Sequence, residues 1–161
     1  MNMKKVINIS WFSLFTFCML LTFTSCLEAG LDDLESYDDA EIRGFKFEHR
    51  WEQAMSGTNN SQLGVVSLPT NVKIEGNTVY CTITVPEAGN PSFFTEEIRN
   101  SVKLEKIVGI ATISTASTIR PVDDAPVLGK WGDFSKSRKY KVTAADGKTT
   151  KEWTIECTLM K

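Results

Sequence analysis

Between Lys139 and Leu159 the chain alternates apolar and polar residues on both sides of a single turn dipeptide, and this pattern restricts the fold more than any other feature. Tyr140, Val142 and Ala144 alternate with Lys139, Lys141 and Thr143, and Trp153, Ile155, Cys157 and Leu159 resume the period beyond the turn. Asp146-Gly147 is a dipeptide that tolerates the positive φ angles of a tight hairpin loop. A two-residue loop there pairs Ala145 with Lys148, Lys141 with Glu152, and Tyr140 with Trp153. That register places the two aromatic rings together on an inner face and the opposite charges together outside, as cross-strand neighbours prefer. Gly147-Lys148-Thr149 also mimics the end of a phosphate-binding loop. The first glycine of such a loop would fall at Val142, however, and no helical pattern follows.

The same period of two recurs upstream. Phe45, Phe47, His49 and Trp51 share one face of a strand while Lys46, Glu48, Arg50 and Glu52 share the other. Val79, Cys81, Ile83 and Val85 alternate with Tyr80, Thr82 and Thr84, and Gly76-Asn77 separates them from Val72–Glu75, which predicts a hairpin over 72–85 ending at Pro86. Residues 103–119 carry spaced isoleucines among serines and threonines and predict one or two short strands. The best helical candidate, Phe94–Ile98, amounts to a single turn. With 161 residues, 42% apolar and 24% charged, the chain suits one globular domain. The fold class predicted is all-β.

The N-terminus reads differently. Lys4 and Lys5 precede the 13-residue apolar run Trp11–Phe23, and Thr24 and Ser25 lead into Cys26, the layout of a secretory leader over residues 1–25. A retained membrane helix would need about 20 apolar residues. Phe23-Thr-Ser-Cys26 resembles the lipobox of bacterial lipoproteins, with Phe23 in place of the usual leucine as in the looser lipoboxes of Bacteroidetes. The resemblance implies that Cys26 is acylated and becomes the mature N-terminus; the alternative is an ordinary secreted protein with a stray cysteine. Residues 26–38, rich in Asp and Glu, read as a solvated acidic tether. An acidic patch behind the cysteine resembles the signal for export to the outer face of the outer membrane, although here only Glu28 stands close to it. Loss of Lys4 and Lys5 leaves 16 basic against 20 acidic residues, a balance that argues against nucleic acid as a partner.

The order Asp39–Phe47, Val79–Pro86, Ile113-Ser, Ser117–Pro121, Gly132–Ser135 and Tyr140–Gly147 resembles the immunoglobulin-like or cadherin-like β-sandwich repeated in Bacteroidetes surface lipoproteins. It implies a single immunoglobulin-like sandwich over residues 39–161 and a binding or spacing role near glycan-uptake systems, with no catalytic motif to carry over. Cys81 and Cys157 fall on the apolar phase of their strands. The resemblance implies that they could form an inter-sheet disulfide; the other reading is two separate buried thiols.

The chemistry is narrowed by what is missing. His49 is the single histidine, so any Ser-His or Cys-His mechanism has to use it, and its apolar neighbours make it a core or rim residue. Zinc sites of several histidines or thiolates cannot be assembled, and no calcium loop occurs. Asp123, Asp124 and Asp133 could reach a cation from loops, and Glu96-Glu97 and Asp123-Asp124 are the carboxylate pairs available for hydrolysis. No enzyme activity, metal or cofactor is expected.

Binding is the positive expectation. Trp131, between two glycines in Gly129–Phe134 with Lys130 and Asp133 beside it, is predicted to stand in a loop outside the strands as a glycan platform. Its competing role is to cover the open end of the sandwich. Trp51 and Trp153 read as core. The function expected is an outer-membrane-anchored lipoprotein with a non-catalytic module for glycan or surface-ligand capture. The alternative is a structural or assembly component that meets a partner protein by a strand edge.

Overall fold

The computed structural model describes residues 37–161 apart from 55, 56 and 58. The leader, Cys26 and most of the acidic tether lie outside the described residues. The elements in order are β1 (Ile42–Ala54), β2 (Ser61–Leu68), β3 (Thr70–Glu75), β4 (Thr78–Thr84), α1 (Glu96–Ser101), a 3₁₀ turn (Leu104–Lys106), β5 (Ile107–Ile113), β6 (Thr118–Pro121), β7 (Trp131–Gly132), β8 (Arg138–Thr143) and β9 (Thr150–Met160). They form two packed sheets, β2-β1-β5-β7 and β3-β4-β9-β8-β6, an all-β sandwich.

The alternation seen in the sequence becomes the inner face of each sheet. Phe45, Phe47 and His49 of β1 are buried, as are Val79, Cys81 and Ile83 of β4 and Trp153 and Ile155 of β9. Ile42 is buried out of phase with Phe45 because the β1–β5 register shifts between Ile42 and Gly44. An extra residue in one strand reverses which face the next side chains take. Rings from both sheets meet in the middle: Phe47 lies edge-on to Phe134 at 5.2 Å, and Phe45 sits 6.3 Å from Tyr140. Such edge and tilted contacts are favourable between ring quadrupoles.

The terminal hairpin keeps its predicted register, with Tyr140 opposite Trp153 and Lys141 opposite Glu152. Its loop differs. Only Gly147 takes positive φ, at 67°, whereas a tight two-residue loop on Asp146-Gly147 would require it of both residues. Asp146 instead accepts hydrogen bonds on its carboxylate from the backbone N–H of Lys148 and Thr149, both at 2.8 Å, and from the Thr149 hydroxyl. Those bonds, the Thr149 hydroxyl first, hold its carboxyl below the ordinary aspartate range. The ladder therefore closes at Ala144, whose N–H donates to Thr149 O. The second predicted hairpin forms with Glu75 opposite Thr78 around Gly76-Asn77.

Cys81 and Cys157 are free thiols. They stand opposite each other on β4 and β9, which run parallel within one sheet. This corrects the expected geometry: the pair does not span the two sheets, so it is not placed as an immunoglobulin-type bridge. The hydrogen bond with Cys81 and burial push the Cys157 thiol above its ordinary pKa.

β2 has no counterpart in the sequence-based expectation. Its sequence, Ser-Gln-Leu-Gly-Val-Val-Ser-Leu, buries Gly64, Val66 and Leu68 but turns Leu63 and Val65 outward, so the polar-apolar alternation that marks a half-buried strand is absent.

Candidate functional site

Trp131 is not in a free loop. It forms the short edge strand β7 with Gly132, paired to β5 with Trp131 opposite Val108. Val108 in turn stands opposite Glu48 of β1. Directly opposed residues share a face, so Trp131, Val108 and Glu48 lie in one row on the outer surface of the four-stranded sheet. Val108 is fully buried there although it takes no part in the core between the sheets, because the layer above it covers it. That layer is held by specific bonds. Trp131 Nε1 donates to the Arg50 carbonyl at 3.3 Å. The Arg50 guanidinium donates to Glu48 Oε2 from Nε and Nη2, at 2.9 and 2.7 Å, and to Gly129 O from Nη1 at 3.1 Å. Lys106 Nζ stands 5.5 Å from the Trp131 ring centre, within range of a cation–π attraction.

The two glycines flanking Trp131 are required for different reasons. Gly129 has a φ of +80°, a backbone conformation that a side chain resists. At Gly132 an added Cβ would lie 2.2 Å from Pro126 Cβ. The loop between β6 and β7 is tied down from below: the Tyr140 hydroxyl donates to Pro126 O at 2.7 Å. Buried Arg138 donates to the carbonyl and carboxylate of both Asp124 and Asp133. The indole is consequently fixed yet 46% exposed. Together with Arg50, Leu63, Gly129 and Lys130 it lines a cleft of about 480 Å³.

Of the three residues named from sequence, Trp131 and Lys130 line this cleft and Asp133 does not. Asp133 accepts from Ser135 N and Oγ and from Arg138, so its carboxylate is committed to holding the loop. The Ser135 hydroxyl, the Ser135 N–H and then Arg138 hold that carboxyl below the usual range. Arg50 and Leu63 are the liners that sequence reasoning missed. Arg50 was legible as an outward residue of its strand, whereas Leu63 belongs to the unrecognised β2.

Several of the groups considered for catalysis make contacts of their own. His49 is buried, and desolvation, followed by the Lys106 charge, lowers its pKa. The Ser101 hydroxyl lies 3.3 Å from His49 Nε2 but donates to Ile98 O at 2.7 Å. While the hydroxyl donates to Ile98 O it accepts from Nε2–H, the reverse of what a base activating a serine needs, and among the described residues Nδ1 has no hydrogen-bond partner. Trp51 packs against the core with its ring against His49 at 5.7 Å, and Trp153 is buried in the core as expected. Glu96 pairs with Arg99 and Asp124 with Arg138. Among the described residues no group of three His, Cys, Asp or Glu could hold a metal ion, and no helix is long and apolar enough to cross a membrane.

The sequence profile of the DUF5018-related domains matches residues 42–156. The crystal structure of a Bacteroides fragilis protein classed as secreted is similar at 32% identity with a TM-score of 0.69, covering 78% of this chain and 99% of that one. A Bacteroides thetaiotaomicron protein classed as a glycoside hydrolase matches at 18% identity and a TM-score of 0.46, over 82% of this chain and 28% of that one, a likeness too slight to carry an argument. None of the curated proteins compared matches.

Proposed function

The chain belongs to the DUF5018-related family, a family of domains of unknown function, so its activity has to be argued from the site, and we propose a non-catalytic module that captures glycan through the cleft at Trp131. The observation that carries this reading is the half-exposed indole of Trp131, held by its bond to the Arg50 carbonyl beside the Arg50 and Lys130 cations. A large flat ring held in one orientation at the surface, with polar groups around it, is a preformed platform for a ligand. A sugar ring suits it: the axial C–H face stacks on the indole while guanidinium and ammonium N–H groups donate to hydroxyl oxygens. Trp131→Ala removes the stacking surface without touching the inter-sheet core. Its affinity for a glycan bound by the wild type falls by roughly tenfold or more, about 1.4 kcal/mol, while the domain stays folded with a modest drop in melting temperature from the uncovering of Val108. Glycan arrays followed by calorimetry check this, and unchanged binding by the variant would count against the site.

Export is supported by the leader and by the similarity to a Bacteroides protein classed as secreted. On this reading Cys26 carries the lipid that anchors the domain in the outer membrane, with the acidic tether spacing the domain away from it on the cell surface. Metabolic labelling with a fatty acid marks the wild type and not Cys26→Ala; equal labelling of both would refute the anchor.

A further inference from the structure

The two sheets present four edge strands, β2 and β7 in one and β3 and β6 in the other, and three of them are blunted in the ways that keep edges from pairing with other chains. β7 has two residues. β6 has four and includes Arg120 and Pro121. β3 carries Lys73 and Glu75, which form an exposed ion pair at 2.7 Å. β2 has none of these protections. Ser61–Leu68 is eight residues without a charge or a proline, and it pairs with β1 through an unbroken register from Ser61 to Leu68 with no bulge. Two of its outward side chains are apolar and open to solvent, Leu63 at 54% and Val65 at 38%. Gly64 between them has no side chain; the Trp51 indole fills that space on the inner face, where an added Cβ would lie 2.3 Å from the ring.

We infer that β2 is a homodimer edge, adding to β2 of a second copy in antiparallel register about a two-fold axis at Gly64. The strand is complementary to itself in that register. Leu63 meets Val65 of the other copy and Val65 meets Leu63, so both outward apolar pairs are covered on one face, while on the other Gly64 meets Gly64 and the exposed Gln62 lies opposite Val66. Ser61 opposes Ser67. Antiparallel neighbours share faces at this register, and with no charge on the strand no like-charge pair is created. A second copy is favoured over an unrelated segment because the pairing needs nothing beyond the strand itself, and closed two-fold contacts are the usual form of such association. The two four-stranded sheets become one continuous sheet. Because the axis is normal to the sheet, both Trp131 clefts open on the same side, and Leu63, a wall of each cleft, is backed by the neighbouring copy.

The test uses the full chain purified in detergent, with its mass followed by sedimentation across a concentration series. The wild type sediments with the protein mass of two chains. Val65→Lys sediments as one chain that still unfolds in a single cooperative transition, its melting temperature lower only by the stabilisation that association gave the dimer, since Val65 faces solvent and the variant places a charge on the edge. Ser67→Lys does the same by an independent position and is decisive if Val65→Lys fails to fold. Asn71→Lys, on the β3 edge, remains a dimer. A single-chain mass for the wild type at every concentration, or a dimer that persists in both β2 lysine variants, overturns the inference. Neither readout involves a sugar, so the result is independent of the Trp131 proposal.

Discussion

Trp153→Ala lowers the stability of the domain by about 3–5 kcal/mol, the range for truncating a large aromatic side chain in a packed core. Trp153 is 1% exposed and lies on β9, at the centre of the five-stranded sheet, opposite Tyr140. Its loss removes more than volume. The indole N–H donates to Ala40 O at 3.0 Å in a buried bond, which fastens the stretch leading into β1, and that carbonyl is left without its partner. Lys151 Nζ, 4.3 Å from the ring centre, loses a cation–π contact as well. Since a domain of this kind is stable by only about 5–15 kcal/mol in total, the variant melts roughly 10–20 °C below the wild type. Trp153→Phe keeps most of the ring and loses the N–H, so it falls between the two. Urea and thermal unfolding measure all three, and a loss under about 1 kcal/mol for the alanine variant would show that the site collapses around the gap.

The centrality of Trp153 is legible in the sequence, because a hairpin is local. One turn dipeptide and two alternating runs fix which residues oppose which, and Tyr140, Lys141, Glu152 and Trp153 obeyed. What depends on distant pairing was not readable. Phase alone put Cys81 and Cys157 on inner faces but could not say that β4 and β9 are parallel neighbours, since nothing local encodes the pairing of strands so far apart in sequence. β2 escaped notice for a different reason: Leu63 and Val65 face out, and an exposed apolar edge removes the very alternation that identifies a strand. At the site, residue types pointed to Trp131 and Lys130. The commitment of Asp133 to Arg138 depends on the path of a loop that no pattern specifies. A signal for it did exist, because Arg138 shares the inward phase of Tyr140 and Val142, and a charge on that phase must find partners inside.

Arg138→Ala releases the loop that carries Trp131. The guanidinium is 4% exposed and makes four hydrogen bonds, to the carbonyl and carboxylate of Asp124 and to those of Asp133, thereby joining β8 to the chain on both sides of the segment that carries β7. The carboxylates can be rehydrated, since Asp124 is largely exposed, but the carbonyls and the emptied space cannot all be, so the cost is about 2–4 kcal/mol. Arg138→Lys retains the charge with fewer, unforked donors and is intermediate. The pH dependence identifies the cause. Arg138 holds the Asp124 carboxyl below the ordinary aspartate value, and at Asp133 the Ser135 bonds come first with Arg138 adding to them. A carboxyl whose folded pKa is lowered stabilises the fold above the unfolded pKa, about 3.9, and that stabilisation is lost as pH falls through the lower folded value. Wild-type stability therefore declines below about pH 4, and in Arg138→Ala this decline is shallower, the Asp124 part being gone and the Ser135-supported part of Asp133 remaining. Any glycan binding at Trp131 weakens in the same variant although Arg138 does not line the cleft, because the indole is no longer held in place. Urea unfolding at a series of pH values checks the first claim. An acid limb as steep in Arg138→Ala as in the wild type would mean that other carboxylates govern it and that Arg138 stabilises the loop through its backbone contacts alone.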